Sequence, residues 1–321
     1  MVRVGVPEVV PAEWLNFFPG EAEIVRLAPV PEAGTQIDFW IPPLFPKEVA
    51  AMYPQLVGVK VVQALWAGVD ALLAMLPPDL ILCDAQGAHD IATSEWVVAA
   101  ILGSLKYFPL YSEVQRSGEW RGRWKADGAY QAMQGLQQVS YPPVQVEELF
   151  GKTVMIVGYG SIGRAIEARL APFGVEFMRV ARCAREGIEP VSHLRELLPA
   201  ADVVVLIVPQ TAETKAMIGA EELRLMKQGS LLVNAARGPV VVTDALLESL
   251  KAGRIRAAID VTDPEPLPDG HPLWSAPNLL ITPHVAGSSP RFLERPMRLA
   301  AEQVQRYIKG EPLKNVAAEG Y

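Results

Sequence analysis

Between Lys152 and Ile166 the chain reads Lys-Thr-Val-Met-Ile-Val-Gly-Tyr-Gly-Ser-Ile-Gly-Arg-Ala-Ile, an apolar strand-like run that passes directly into Gly158-x-Gly160-x-x-Gly163 and then into a helix-forming segment. This feature constrains the fold more than any other. Gly158 suits a tight turn, Gly160 lets a pyrophosphate approach bare backbone, and Gly163 lets the helix pack closely on the strand. Ser161 and Ile162 stand at the helix start, where unpaired N–H groups can face phosphate. A lone glycine motif says little, but strand, motif and helix in that order mark a dinucleotide-binding βαβ unit.

The rest of the chain repeats the strand-and-helix alternation. Downstream of the glycines, apolar runs at Val203 to Val208, Leu231 to Val233, Ala257 to Val261 and Leu279 to Thr282 join Val154 to Val157. Five or more such strands with helical crossovers imply a doubly wound parallel sheet. Upstream, the shorter runs Arg3 to Val6, Glu23 to Leu27, Ile37 to Ile41, Val59 to Leu65 and Leu80 to Cys83 imply a second, smaller parallel α/β sheet. Trp96, Val97, Ala100, Ile101 and Leu105 recur at helical spacing, with Ser94 as the expected cap. The segment from Gly118 to Pro143 is polar, rich in Trp, Gln and Gly, and aperiodic, so an arm or loop is expected there. One closing helix is expected after Gly287, with Pro290 near its start.

A length of 321 residues suits two domains, and 50% hydrophobic with 20% charged residues suits folded cores, not disorder. A net charge of −7 disfavours a nucleic-acid backbone as partner. Cys83 and Cys183 are the only cysteines, so neither a disulfide framework nor a cysteine-rich metal site is available, and no metal is expected. The amino terminus lacks a signal-peptide pattern and no stretch offers about 18 uninterrupted apolar residues. A cytoplasmic protein with small-molecule ligands and no membrane partner is the expectation.

The cofactor's identity turns on the end of the second strand. An NAD-selective site places an acid roughly 20 residues beyond the glycines, where it bonds the adenosine ribose. Here the strand ends at Ala181 and is followed by Arg182, Cys183, Ala184 and Arg185. Guanidinium groups suit a 2′-phosphate, so Arg182 and Arg185 favour NADP(H), with NAD(H) possible.

Of the four histidines, His284 stands apart because it follows the strand Asn278 to Thr282, at the carboxyl end where ligands collect in parallel sheets. His89, His193 and His271 lie in a crossover, a helix start and a Pro/Gly-rich loop, and are read as structural. Arg237 follows the strand at Leu231, with Gly238 allowing a turn. Asp260 ends the next strand and leads into a turn that holds Glu265 between two prolines. An arginine and carboxylates at three successive strand ends form a candidate site.

Taken with Glu148-Leu-Phe-Gly-Lys-Thr153, Leu197-Leu-Pro-Ala-Ala-Asp202, Thr211-Ala-Glu-Thr214, Asn234-Ala-Ala-Arg-Gly238, Asp260-Val, Glu265-Pro and Thr282-Pro-His284, the chain from about Val59 to Gly287 resembles the D-isomer-specific 2-hydroxyacid dehydrogenase family. The fold class is then α/β, with a Rossmann cofactor domain (94–286) inserted in a smaller flavodoxin-like substrate domain (1–93 and 287–321). The resemblance implies that Arg237 orients the substrate carboxylate and carbonyl, that His284 is the general acid/base, and that Glu265 bonds its imidazole. It further implies a cofactor lined by Thr93, Val208, Pro209, Thr214, Ala235, Arg237, His284, Ala286 and Gly287, with Asp260 on the nicotinamide amide. Ala67 and Gly68 would receive the substrate carboxylate beside Trp66.

Three departures from the family pattern stand out. Val242 replaces a usual Asp, Trp66 replaces a small residue, and Ala181 with Arg182 replaces the NAD-type ending. The implied activity is NAD(P)-dependent interconversion of 2-keto acids and D-2-hydroxy acids, as NADPH-dependent reduction of a small keto acid such as glyoxylate or hydroxypyruvate. A homodimer through the cofactor domain is also implied, with the arm from Gly118 to Pro143 as candidate contact. The rival reading is a cofactor-sensing, corepressor-like interaction protein on the same fold, against which the chain shows no long disordered tail. A formate-type enzyme is disfavoured because those carry an amide where this chain has Glu265.

Overall fold

In the computed structural model, residues 1–125, 128, 131 and 146–317 are described. The chain divides into two compact units, one of Met1–Asp90 with Ser288–Tyr321 and one of Ile91–Gly287. Each has its own parallel sheet.

The first unit contains β1 (Val2–Pro7), β2 (Ala22–Leu27), β4 (Phe39–Trp40), β6 (Val61–Gln63) and β7 (Ile81–Cys83), in the order β2-β1-β4-β6-β7. Counting these five alone, the order is 2-1-3-4-5, that of a flavodoxin-like sheet. Two short strands, β3 (Thr35–Gln36) and β5 (Leu56–Val57), pair separately. Period-two alternation sends Trp40, Val62 and Leu82 into one core and Phe39, Val61 and Cys83 into the other. Met297, Ala300 and Val304 of the closing helix Glu294–Lys309 bury against that second face. The helix starts at Glu294, four residues beyond the expected Pro290, and holds Pro296 in its first turn, where a missing N–H costs no hydrogen bond.

The second unit carries seven parallel strands: β8 (Thr153–Val157), β9 (Glu176–Ala181), β10 (Glu189–Pro190), β11 (Val203–Leu206), β12 (Leu231–Asn234), β13 (Arg256–Ile259) and β14 (Leu279–Ile281). Their order, β10-β9-β8-β11-β12-β13-β14, reads 3-2-1-4-5-6-7, a Rossmann sheet extended by one strand. Val154 and Ile156 point to one core, Met155 and Val157 to the other, all at most 1% exposed. That double burial explains why the central strands read as unbroken apolar runs. At about 1.5–3 kcal/mol for each large apolar side chain buried, the two faces supply the main drive for this unit's folding.

One sequence expectation changes. The helix expected from Ser94 runs from Asp90 to Leu105, and Ser94 lies buried inside it with its hydroxyl donating to the Ile91 carbonyl at 3.0 Å. A back-bonded serine satisfies itself within a helix and does not cap it. A further helix, Phe108–Ser117, ends at Gly118 in the left-handed conformation (φ 69°). Beyond the short turn Trp120–Gly122, the expected arm to Pro143 lies, from residue 126 on, outside the described residues except for 128 and 131.

Candidate functional site

The topological switch of the larger sheet lies between β8 and β11, where loops leave in opposite directions and open a crevice at the carboxyl ends. The glycine loop stands there. Gly158 has φ +105°, and a Cβ on it would lie 2.4 Å from the Ile207 carbonyl oxygen. A Cβ on Gly163 would meet the Gly158 carbonyl at 2.7 Å, whereas one on Gly160 would meet nothing within 4 Å. Two glycines thus close the loop on itself, and the third faces open space. Gly160 is also the residue before the helix Ser161–Leu170, whose start has no side-chain cap. Donors and cleared space together fit the pyrophosphate of a dinucleotide.

The loops after β12, β13 and β14, three adjacent strands, carry Arg237, Glu265 and His284. His284 Nδ1 donates to Glu265 Oε1 at 2.5 Å, with both side chains partly exposed. That charge-assisted bond holds the His284 pKa above its usual value, against the opposing effect of burial and of Arg237. The same bond holds Glu265 below the ordinary carboxylate range. With Nδ1 committed to Glu265, Nε2 is the ring nitrogen available to a ligand. Glu265 stands between cis Asp263–Pro264 and cis Glu265–Pro266 bonds, and its second oxygen accepts from the Thr262 N–H at 3.4 Å.

His284 has φ +53°, a left-handed backbone uncommon for a residue with a side chain. Asp260 holds it there. The Asp260 carbonyl accepts from the His284 N–H at 2.7 Å, and its buried carboxylate accepts from the Thr282 hydroxyl at 2.6 Å, Val285 N–H at 2.8 Å and Ala286 N–H at 2.7 Å. Asp260 is therefore bonded to residues on both sides of His284.

Arg237 is half-buried and donates from Nη1 to the Ala236 carbonyl at 2.8 Å. Its loop is shaped by buried Asn234, which accepts from the Ala236 N–H and donates to the Arg237 carbonyl, both at 3.0 Å. Gly238 does not serve a left-handed turn. A Cβ there would lie 1.9 Å from the Thr262 carbonyl oxygen, so glycine is required by contact between the loops after β12 and β13.

At the other edge, Arg182 follows β9 and pairs with Glu213 (Nε to Oε2 at 3.3 Å), while Arg185 lies in a turn whose backbone bonds run to Ile188. Thr214 is buried in a turn where its hydroxyl donates to the Pro209 carbonyl at 2.6 Å. Val208, Pro209 and Ala235 are half-buried at the ends of β11 and β12, Ala286 is buried and Gly287 half-buried after β14, and Thr93 is buried in the helix Asp90–Leu105. Trp66, Ala67 and Gly68 belong to the other unit, half-buried after β6.

The remaining histidines have structural partners: His89 with the Leu65 carbonyl, His193 with Glu189, and His271 with the Leu273 N–H. Sequence reasoning gave no role to Asn234, Thr282 or Glu213. A strand-ending Asn is the one available signal, since its side chain readily shapes the following turn.

A seven-stranded Rossmann sheet, a dinucleotide loop and an Arg, Glu, His set at adjacent strand ends define a nicotinamide-dependent dehydrogenase class. Residues 98–286 match the model of the D-isomer specific 2-hydroxyacid dehydrogenase, NAD binding domain. A glyoxylate reductase of Thermofilum pendens is 36% identical over 227 residues, which is 68% of this chain and 62% of that protein. Among solved structures, an NADPH-dependent glyoxylate/hydroxypyruvate reductase of Sinorhizobium meliloti in complex with NADP and sulfate superposes with TM-score 0.80 at 26% identity, covering 100% of both chains. A D-isomer specific 2-hydroxyacid dehydrogenase of Xanthobacter autotrophicus Py2, in complex with NADPH and MES, gives TM-score 0.78 at 27% identity, again over 100% of both. The chain belongs to the D-isomer-specific 2-hydroxyacid dehydrogenase family and is an NAD(P)-dependent oxidoreductase.

Proposed function

We propose that this protein reduces a small 2-keto acid, of the glyoxylate or hydroxypyruvate kind, to the D-2-hydroxy acid, with NADPH preferred over NADH. The 2.5 Å His284–Glu265 bond, at a strand end two removed from that of Arg237, carries the reading. The cofactor would be held by the N–H groups beyond Gly160, by the loops at Val208 to Thr214 and Ala235, and by Arg182 with Arg185 at its 2′-phosphate. When bound, it supplies the hydride for carbon 2.

In this mechanism His284, kept protonated by Glu265, gives its Nε2 proton to the oxygen on carbon 2 as negative charge develops there. Glu265 keeps the ring in the tautomer that presents Nε2 and stabilises the imidazolium before transfer. Arg237 pairs with the substrate carboxylate and stabilises the charge growing on the carbonyl oxygen. His284, neutral after the transfer, regains a proton from solvent through its exposed edge. The reading extends to Ala67 and Gly68 as backbone donors to the carboxylate and to Trp66 as an aromatic wall that favours small substrates.

Nicotinamide absorbance followed with glyoxylate, hydroxypyruvate, pyruvate and phenylpyruvate, each with NADPH and NADH, tests the proposal. Turnover is expected with glyoxylate and hydroxypyruvate, faster with NADPH than with NADH, and none with any of the four would refute it. His284→Gln should abolish turnover and leave NADPH binding intact. A homodimer through the cofactor-binding unit is part of the same reading, supported by the exposure of Phe108, Trp120 and Trp124. A monomer in sedimentation at micromolar concentration would refute that part.

A further inference from the structure

The carboxylate that is missing after β9 is supplied from a different loop. Arg182 stands one residue beyond the end of β9, and its guanidinium meets Glu213 twice, Nε to Oε2 at 3.3 Å and Nη2 to Oε1 at 3.4 Å. Glu213 belongs to the loop after β11. In the sheet β9 and β11 flank β8, so the pair joins the two loops on either side of the glycine loop.

Glu213 is held in place by its own turn. The Thr211 N–H donates to the Thr214 hydroxyl at 2.8 Å, that hydroxyl donates to the Pro209 carbonyl at 2.6 Å, and the Lys215 N–H donates to the Thr211 carbonyl at 3.0 Å. The residue next to buried Thr214 therefore has little freedom in where its side chain starts. Its partner is the cation assigned above to the 2′-phosphate, so any group that Arg182 binds has an anionic neighbour within a few ångströms.

We propose that Glu213 is the ribose-recognising acid of this chain and that the Arg182–Glu213 pair sets the choice between NADPH and NADH, an inference that rests on the NADPH-preferring reading above. The 2′-hydroxyl of NADH donates to the Glu213 carboxylate, the role an acid at the end of β9 plays in NAD-selective sites. The 2′-phosphate of NADPH takes Arg182 and is repelled by Glu213. Selectivity is then a difference between two opposed charges, and the chain accepts both cofactors with a moderated preference for NADPH.

Isothermal calorimetry on the ligand-free protein provides the test, with NADPH, NADH, 2′,5′-ADP and 5′-ADP as titrants and circular dichroism as a check on folding. Both side chains are more than half exposed, which screens the interaction with the phosphate. Removing one charge at about 4 Å in high dielectric should tighten NADPH and 2′,5′-ADP about fivefold to tenfold in Glu213→Gln. NADH should weaken in the same variant. Arg182→Ala should weaken NADPH and 2′,5′-ADP about tenfold or more and leave 5′-ADP unaffected. If Glu213→Gln leaves the NADPH affinity unchanged while Arg182→Ala weakens it, the inference fails and the NADPH reading stands. If NADH affinity is unchanged in Glu213→Gln, the ribose assignment fails. If Arg182→Ala leaves NADPH unaffected, the NADPH reading itself fails.

Discussion

Replacing Asp260 with Asn exchanges one oxygen for nitrogen in a side chain that is 2% exposed and accepts three hydrogen bonds. The amide oxygen can keep the Thr282 hydroxyl and the Val285 N–H, the two donors that share Oδ1. The new NH2 then faces the Ala286 N–H, donor against donor. One bond to a charged acceptor is lost and its buried N–H donor is stranded, a destabilisation of about 1.5–3 kcal/mol for the second unit. The damage falls on the segment that holds His284 at φ +53°, and if His284 is the acid/base proposed above, a displacement of about 1 Å there costs on the order of a hundredfold in rate. Urea unfolding followed by tryptophan fluorescence measures the first effect and kcat for keto-acid reduction the second. A loss below about 1 kcal/mol with kcat within threefold of wild type would show that this carboxylate does not hold the His284 loop.

Glu265→Gln removes the charge that raises the His284 pKa, so the imidazole loses its proton at lower pH. In the proposed mechanism keto-acid reduction needs the protonated ring, and its rate should therefore fall off at lower pH in the variant than in wild type, while the reverse oxidation should rise from lower pH; coincident pH–rate profiles would refute the coupling. Val242 occupies the residue before the helix Thr243–Lys251 with extended backbone and no side-chain cap. Val242→Asp should cap that helix and raise stability by about 0.5–2 kcal/mol in urea unfolding, and an unchanged or lowered midpoint would count against it.

The elements most easily read from the sequence are those with local causes. The central strands announce themselves because both faces of the sheet are buried, and the glycine loop because its three positions lie within six residues. His284, Glu265 and Arg237 stand out by position, each just after an apolar run. What escaped the sequence depends on contacts between distant residues. Asp260 reaches donors 22 to 26 positions ahead, and Arg182 meets a carboxylate 31 positions away. Neither spacing has any period to mark it. Gly238 shows the same limit in a different form: glycine was legible as a backbone requirement, but its cause is the carbonyl of Thr262, on another strand's loop. Ser94 misled because the same hydroxyl can cap a helix or bond back within one, and only the backbone around it decides.

The near-contact between Gly238 and Thr262 also bears on how such an enzyme can change. With no space for even a methyl group between them, the loop that bears Arg237 is seated on the loop that leads to Glu265, and Glu265 is bonded in turn to His284. The loops that carry Arg237, Glu265 and His284 are thereby coupled through one backbone contact and one side-chain bond. On the proposed function, preference for one acid or one cofactor over another would drift at Trp66, Arg182 and Glu213, which lie outside these three coupled loops.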